Sequence, residues 1–416
     1  MSVYACTFAR QPWYIAMVNI PHDGVASTKK RVAVLLDGTW DTVNDNTSVW
    51  RLKSLLASQG RDGLEQISYY SVGVGTAFGE RLCGGMFGYG LNDEIIRAYE
   101  WLIDHYNVGD ELFIFGFSRG AYTARSLSGL ISKCGLLAAG APLSVNQLYA
   151  RYRRARVAMT IRELIQEQSA GKTDFSLEER WILKYSEAID IQFVGVWDTV
   201  GALGLPFGNL PILGKADMQF LNTGLRHSSK SAFHALAIDE HRKGFAPTLW
   251  TVDFKKWTPP PHHGRTFSQV EQRWFVGAHA NVGGGCQSDP LAQAPLKWMM
   301  DKASLNGLAF RRDIDFDVLP TPPPISDSYA EFMHGAYKLL TRGQPFYREI
   351  GSEPVPSSNT ELRENINESI DASVFERWRS DNAYRPQNLR QWGEKYKVDP
   401  SSLNYAVRAD DPSKPV

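Results

Sequence analysis

The chain has 416 residues, 43% of them hydrophobic and 12% aromatic. That is enough apolar material for a large core and too much for a disordered chain. Lysine plus arginine and aspartate plus glutamate both number 45, giving a formal net charge of zero, so no general field draws the protein onto nucleic acid and no such partner is expected. The four cysteines, Cys6, Cys83, Cys134 and Cys286, are scattered without a C-x-x-C pair, which argues against a disulfide framework or a zinc site.

Residues 1–30 read as an irregular N-terminal arm. They lack the basic start and apolar run of a signal peptide, and no stretch of 18 apolar residues follows, so no transmembrane helix and a cytoplasmic location are expected. The organised chain opens with RVAVLLDGTW from Arg31, an apolar strand ended by an Asp-Gly turn. A helix is expected after Thr47-Ser48, and ISYYSVGVG reads as a second strand running into a loop with seven glycines between Gly73 and Gly90. That loop lacks G-x-G-x-x-G spacing, so no dinucleotide or other cofactor is expected. Asn92 reads as the N-cap of a helix over DEIIRAYEWLIDHY. ELFIFGF is a third strand, followed by a helix over SRGAYTARSLSGLISKCG that Gly135 stops.

Strand–helix alternation of this kind predicts an α/β domain with a mostly parallel sheet and helices on both faces. IQFVGVW (191–197) and QRWFVGA (272–278) are later strands of the same type. The polar, helix-favouring stretch 143–189 is expected to form a helical cap, with Leu148, Val157, Ile161 and Leu164 facing inward. PTPPP begins a C-terminal helical or irregular extension, 319–416, leaving 31–318 as the catalytic domain.

The chemistry centres on Gly116-Phe117-Ser118-Arg119-Gly120, set between a strand and a helix. A nucleophilic serine needs a sharp strand-to-helix turn, which small residues on either side permit. The helix start supplies backbone N–H groups for an oxyanion, with Arg119 as first donor and Gly38 or Thr39, after the first strand, as the second. In this type of site acid and base follow the serine in order. Asp198 ends IQFVGVW and His279 ends QRWFVGA before a triple-glycine turn; strand carboxyl ends are where reactive groups gather in open α/β sheets. His234 and Asp239, in SAFHALAIDEHR, compete for these roles but read better as core residues, and His227, His262 and His263 are further histidines without such a setting. No group of residues has metal-ligand spacing, so a metal-free mechanism is expected. The basic aromatic stretch Tyr149–Arg156 reads as a solvated helix face, with anionic lipid headgroups as the alternative contact.

LDGTWD, YYSVGVGT, GDELFIFGFSRGAYTARSL, FVGVWDTVGALGLP, HALAIDEHRKGFAPTLW and WFVGAHANVGGG occur in this order over most of residues 31–300. In these segments the chain resembles the bacterial α/β-hydrolase family that includes the type VI secretion phospholipase effectors. The resemblance implies a nucleophilic Ser118 with Asp198 and His279 as acid and base, and export by a specialised system as an alternative location. One departure is Asn281, where that motif usually carries Asp; a structural role is expected for it. The resulting expectation is a serine hydrolase that cleaves hydrophobic or lipid esters through an acyl-enzyme. The alternatives are a catalytically inactive binding protein of the same fold and a secreted antibacterial lipase.

Overall fold

The computed structural model describes residues 29–416 except 39–45, 74–86, 155–157, 201–223, 226–227, 256–264, 286–289, 315–321, 332–335 and 359. Eight strands form the main sheet: β1 (Arg31–Leu36), β2 (Gln66–Ser71), β3 (Glu111–Phe117), β4 (Ile191–Trp197), β5 (Ser229–Ala237), β6 (Val270–Phe275), β7 (Glu368–Ile370) and β8 (Val407–Arg408). Their order across the sheet is β8-β7-β6-β5-β4-β3-β1-β2. All neighbours are parallel except β7 and β8. Together with the helices on its two faces, this is the α/β-hydrolase fold.

Side-chain alternation along the strands divides the core into two layers. Val32, Val34, Leu112 and Ile114 belong to one cluster, with the helix α2 (Phe87–His105) and the helix α3 (Arg119–Cys134). Ala33, Leu35, Phe113, Phe115, Phe193 and Phe233 belong to the other, with the helix α1 (Ser48–Leu55) and the long helix Gln293–Leu305. The Phe115, Phe193 and Phe233 rings step across the sheet with successive centroids 5.3 Å apart. Each such buried ring contributes roughly 1.5–3 kcal/mol of transfer free energy.

The chain crosses from β2 on one side of β1 to β3 on the other, so the strand order reverses between β1 and β3. A crevice at the carboxyl ends of the strands is expected at such a reversal, and Ser118 lies there, directly after β3.

Three expectations meet the structure here. Asn92 is not an N-cap: α2 already runs from Phe87, and the Asn92 side chain accepts a hydrogen bond from Tyr149 at 2.6 Å. The 143–189 insertion forms three capped helices, α4 (Val145–Arg153), α5 (Ile161–Ser169) and α6 (Leu177–Tyr185). Leu148, Ile161 and Leu164 are buried in the core layer of α2 and α3; Tyr152 packs on Gly129 and Ile161 on Gly135. Val157 lies outside the described residues. The apolar face of these helices is inward and packs on α3.

The third concerns residues 319–416. This segment is not only helical and irregular, because it adds β7 and β8 to the main sheet. It also builds a third core cluster, in which Ile370, Val374, Phe375, Leu389 and Trp392 pack with Leu236, Ile238 and Trp274. Without it β6 would be an open edge and Trp274, now fully buried, would face water.

Candidate active site

Ser118 sits in a sharp turn that its flanking glycines permit. Its backbone has φ 57° and ψ −118°, a left-handed conformation that costs a non-glycine residue of order 1–3 kcal/mol and persists where surrounding contacts enforce it. The contacts are very close. A Cβ at Gly116 would meet the Gly120 carbonyl, and one at Gly120 would meet the Leu36 and Asp37 carbonyls, all well inside van der Waals contact. Glycine at both positions therefore lets the start of α3 settle against the ends of β3 and β1. The Ser118 N–H donates to the Trp197 carbonyl at 3.0 Å, which ties the turn to β4.

The next residue of β4's exit is Asp198, also at positive φ (38°) and fully buried. His279 follows β6 and opens the short helix His279–Gly283. The three side chains converge. His279 Nε2 lies 2.8 Å from Ser118 Oγ and His279 Nδ1 lies 2.5 Å from Asp198 Oδ2. Burial alone would raise the Asp198 carboxyl, yet Arg348 and His279 hold it well below the usual carboxylate range. An anionic Asp198 requires the imidazole proton on Nδ1, which leaves Nε2 to accept from the serine hydroxyl. Phe117 and Phe245 flank the imidazole, with ring centroids 4.8 and 5.1 Å away.

Of the oxyanion candidates, Arg119 is the first residue of α3. The Gly38 N–H donates to the Asp37 carboxylate at 2.9 Å, so it can serve an oxyanion only by leaving that partner. That carboxylate also accepts from Thr47 (2.6 Å) and Tyr70 (2.8 Å), which makes Asp37 the organiser of the turn after β1. Thr39 lies outside the described residues.

The competing groups are occupied elsewhere. His234, on β5, is fully buried, and burial, aided by the Arg125 cation, pushes it down to about 3. It is therefore neutral; its Nε2 accepts from the Thr199 N–H at 3.0 Å and its Nδ1 faces Gln272 at 3.3 Å. Asp239 accepts from the Gly277 N–H at 2.7 Å and from the Tyr384 hydroxyl at 3.2 Å, and burial pushes it up to about 6. Asn281 accepts from the N–H groups of Ala278 (3.0 Å) and Ser326 (3.1 Å), which ties the loop carrying His279 to the C-terminal segment. His227, His262 and His263 lie outside the described residues. Among the described residues no cluster of His, Cys, Asp and Glu could hold a metal.

The basic stretch is only partly a surface. Arg151 is buried and pairs with Glu178 at 2.9 Å, whereas Arg154 is exposed and pairs with the same carboxylate at 2.6 Å. Arg153 is exposed, and Arg156 lies outside the described residues. Among the described residues no helix is long and apolar enough to cross a membrane.

A site residue that the sequence gives no sign of is Arg348. It is fully buried and fork-bonded to Asp198, with Nη1 to Oδ1 at 2.6 Å and Nη2 to Oδ2 at 2.9 Å. It comes from the C-terminal segment, where FYREIG carries no recognisable motif.

The fold is that of the α/β-hydrolases, and a serine, an imidazole and a carboxylate converge at the carboxyl ends of its strands. The catalytic-domain profile of the Tle1-like phospholipase effectors of type VI secretion matches residues 30–302, well over half of the chain, and the chain belongs to that family. It is also similar to an uncharacterized protein of Saccharomyces cerevisiae, 26% identical over 262 residues covering 58% of this chain and 35% of that one; the chain thus spans about a third of that relative. Among solved structures it is similar to an uncharacterized Pseudomonas aeruginosa protein (17% identity, 68% of this chain and 46% of that one, TM-score 0.39). A second is the Tle1 effector bound to the VgrG spike of the type VI system (18%, 63% and 52%, TM-score 0.31). A third is esterase 2 of Thermogutta terrifontis phosphorylated by paraoxon (13%, 70% and 88%, TM-score 0.33).

Proposed function

We propose that this chain is a serine hydrolase that cleaves carboxylic esters of lipids, with Ser118 as nucleophile, His279 as base and Asp198 as acid. The observation that carries the reading is the continuous relay from Ser118 Oγ through both imidazole nitrogens to a buried carboxylate. His279 Nε2 takes the hydroxyl proton as Oγ attacks the ester carbonyl carbon. The Arg119 N–H, at the positive end of α3, stabilises the oxyanion; the second donor falls to the turn after β1, where Gly38 would exchange its Asp37 partner for substrate. Collapse of the tetrahedral intermediate breaks the ester C–O bond, and His279 returns the proton to the leaving alkoxide. Water, deprotonated by His279, then releases the acid from the acyl-enzyme and regenerates Ser118. Asp198 holds the tautomer and stabilises the imidazolium throughout.

The lipid substrate and delivery through a type VI secretion spike rest on family membership. The intact relay argues against a catalytically silent binding module. The test combines fluorophosphonate labelling with hydrolysis of phospholipid vesicles and of soluble esters of increasing acyl length. Ser118→Ala and His279→Ala should lower turnover by about three orders of magnitude or more, and longer acyl chains should be preferred, each buried methylene adding roughly 0.8 kcal/mol. Full activity in Ser118→Ala would sink the mechanism, and activity confined to acetyl esters would sink the lipid assignment.

A further inference from the structure

We infer that Arg348 is a positioning residue of the catalytic relay: delivered by the segment that follows the family-matched region, it clamps both oxygens of Asp198 and fixes the edge that the carboxylate presents to His279. The inference rests on the proposed triad and adds a residue to it.

The carboxylate's acceptor capacity is filled. Oδ1 accepts from Arg348 Nη1 (2.6 Å) and from the Ala237 N–H (3.0 Å); Oδ2 accepts from Arg348 Nη2 (2.9 Å) and from His279 Nδ1 (2.5 Å). A planar fork on both oxygens leaves the carboxylate no freedom to turn about its Cβ–Cγ bond, which a point cation would not achieve. The guanidinium is itself held, donating to the carbonyls of Ala237 (2.6 Å) and Phe245 (2.5 Å). Those contacts join the end of β5 to the Phe245 segment, whose ring packs on the His279 imidazole. The matched family region ends at residue 302, so this part of the site comes from the chain's own C-terminal segment. That segment is anchored beside Arg348, where the Phe346 N–H donates to the His241 carbonyl at 2.9 Å and Ile350 is buried in the third core cluster.

The clamp also sets the charge around the base. Among the described residues two carboxylates face His279, and each carries an arginine. Asp198 pairs with Arg348, while Glu240, whose Oε2 accepts from the His279 N–H at 3.3 Å, is fork-bonded by Arg242 at 2.8 Å on each oxygen. His234 behind Asp198 is neutral, and Asp239 faces away toward Gly277 and Tyr384. Among the described residues, the imidazolium formed during attack therefore meets two neutralised pairs and no bare anion. Removing the Arg348 charge leaves Asp198 to stabilise that cation alone, which favours protonation of the base.

The test uses the full chain with Arg348→Lys and Arg348→Met, alongside Ser118→Ala. We would measure kcat and KM on a soluble ester from pH 5 to 9, the rate of fluorophosphonate labelling, and thermal unfolding. Arg348→Met should lower kcat by roughly 100-fold with little change in KM, and move the acid limb of kcat/KM to higher pH by on the order of one unit. Arg348→Lys keeps the charge and loses the fork, so its acid limb should stay in place while kcat falls by roughly tenfold. If the Met variant does not fold, the Lys variant decides through its kcat and labelling rate. Folded variants with wild-type kcat and an unmoved acid limb would overturn the inference, leaving Arg348 a structural ion. A fully active Ser118→Ala would instead remove the triad on which the inference rests.

Discussion

Replacing Asp198 by Asn separates what the Asp198–Arg348 pair does for folding from what Asp198 does for chemistry. Both side chains are fully buried, and their fork spans 2.6 and 2.9 Å. Asn keeps one acceptor but turns an NH2 group toward the donors of either Arg348 or His279, so a buried cation loses its counter-ion. Breaking a buried pair from one side costs about 3–5 kcal/mol. A Coulomb term of about 4 kcal/mol for unit charges 4 Å apart at an effective dielectric of 20 is of the same size. Activity should fall by about 10⁴-fold, because the imidazole no longer has an anion to hold its proton on Nδ1. The double variant Asp198→Asn/Arg348→Met removes the orphaned charge and should recover at least half of the lost stability with no recovery of activity. Urea unfolding followed by tryptophan fluorescence gives the stability cycle, and ester turnover gives the activity. The reasoning fails if Asp198→Asn unfolds at the wild-type midpoint, or if the two substitutions simply add.

Three further outcomes follow from particular contacts. Gly120→Ala should abolish labelling of Ser118 and lower the thermal midpoint, since its methyl would overlap the Leu36 and Asp37 carbonyls; an active, normally stable variant would contradict the packing account of the turn. Glu240 is held down at about 2 by its Arg242 fork despite burial, so its stabilisation is present above the ordinary pKa near 4.5 and is lost as pH falls from there toward 2. Glu240→Gln should therefore be less stable than wild type at pH 7, with the gap closing over that acid window; a gap independent of pH would refute the charge argument. Arg151→Gln should destabilise by about 1–3 kcal/mol, because it strips a buried partner from Glu178. Arg154→Gln, at an exposed pair, should change stability by no more than about 0.5 kcal/mol; chemical denaturation of both variants checks the contrast.

The local sequence determined the parts of this protein that depend on short-range chemistry. Apolar runs with β-branched and aromatic residues marked β1, β3, β4 and β6. Glycines two before and two after Ser118 marked the turn, and the small-residue exits after Trp197 and Phe275 marked the two strand ends that hold Asp198 and His279. These signals are legible because each reflects a constraint acting within a few residues: pleat periodicity, a close backbone approach, a tight exit. Tertiary structure decided the rest. The 143–189 helices were legible as amphipathic, but an apolar face does not say which surface it will cover, and it covers α3. Gly38 was legible as a turn residue, but only the fold, by bringing Thr47 and Tyr70 to Asp37, built the carboxylate site on which its N–H rests. Arg348 stands 150 residues from Asp198 along the chain, and no local pattern distinguishes it from any other arginine in a polar segment. Only the pairing of β7 beside β6, which draws residues 346–351 across the end of β5, brings its guanidinium to the carboxylate.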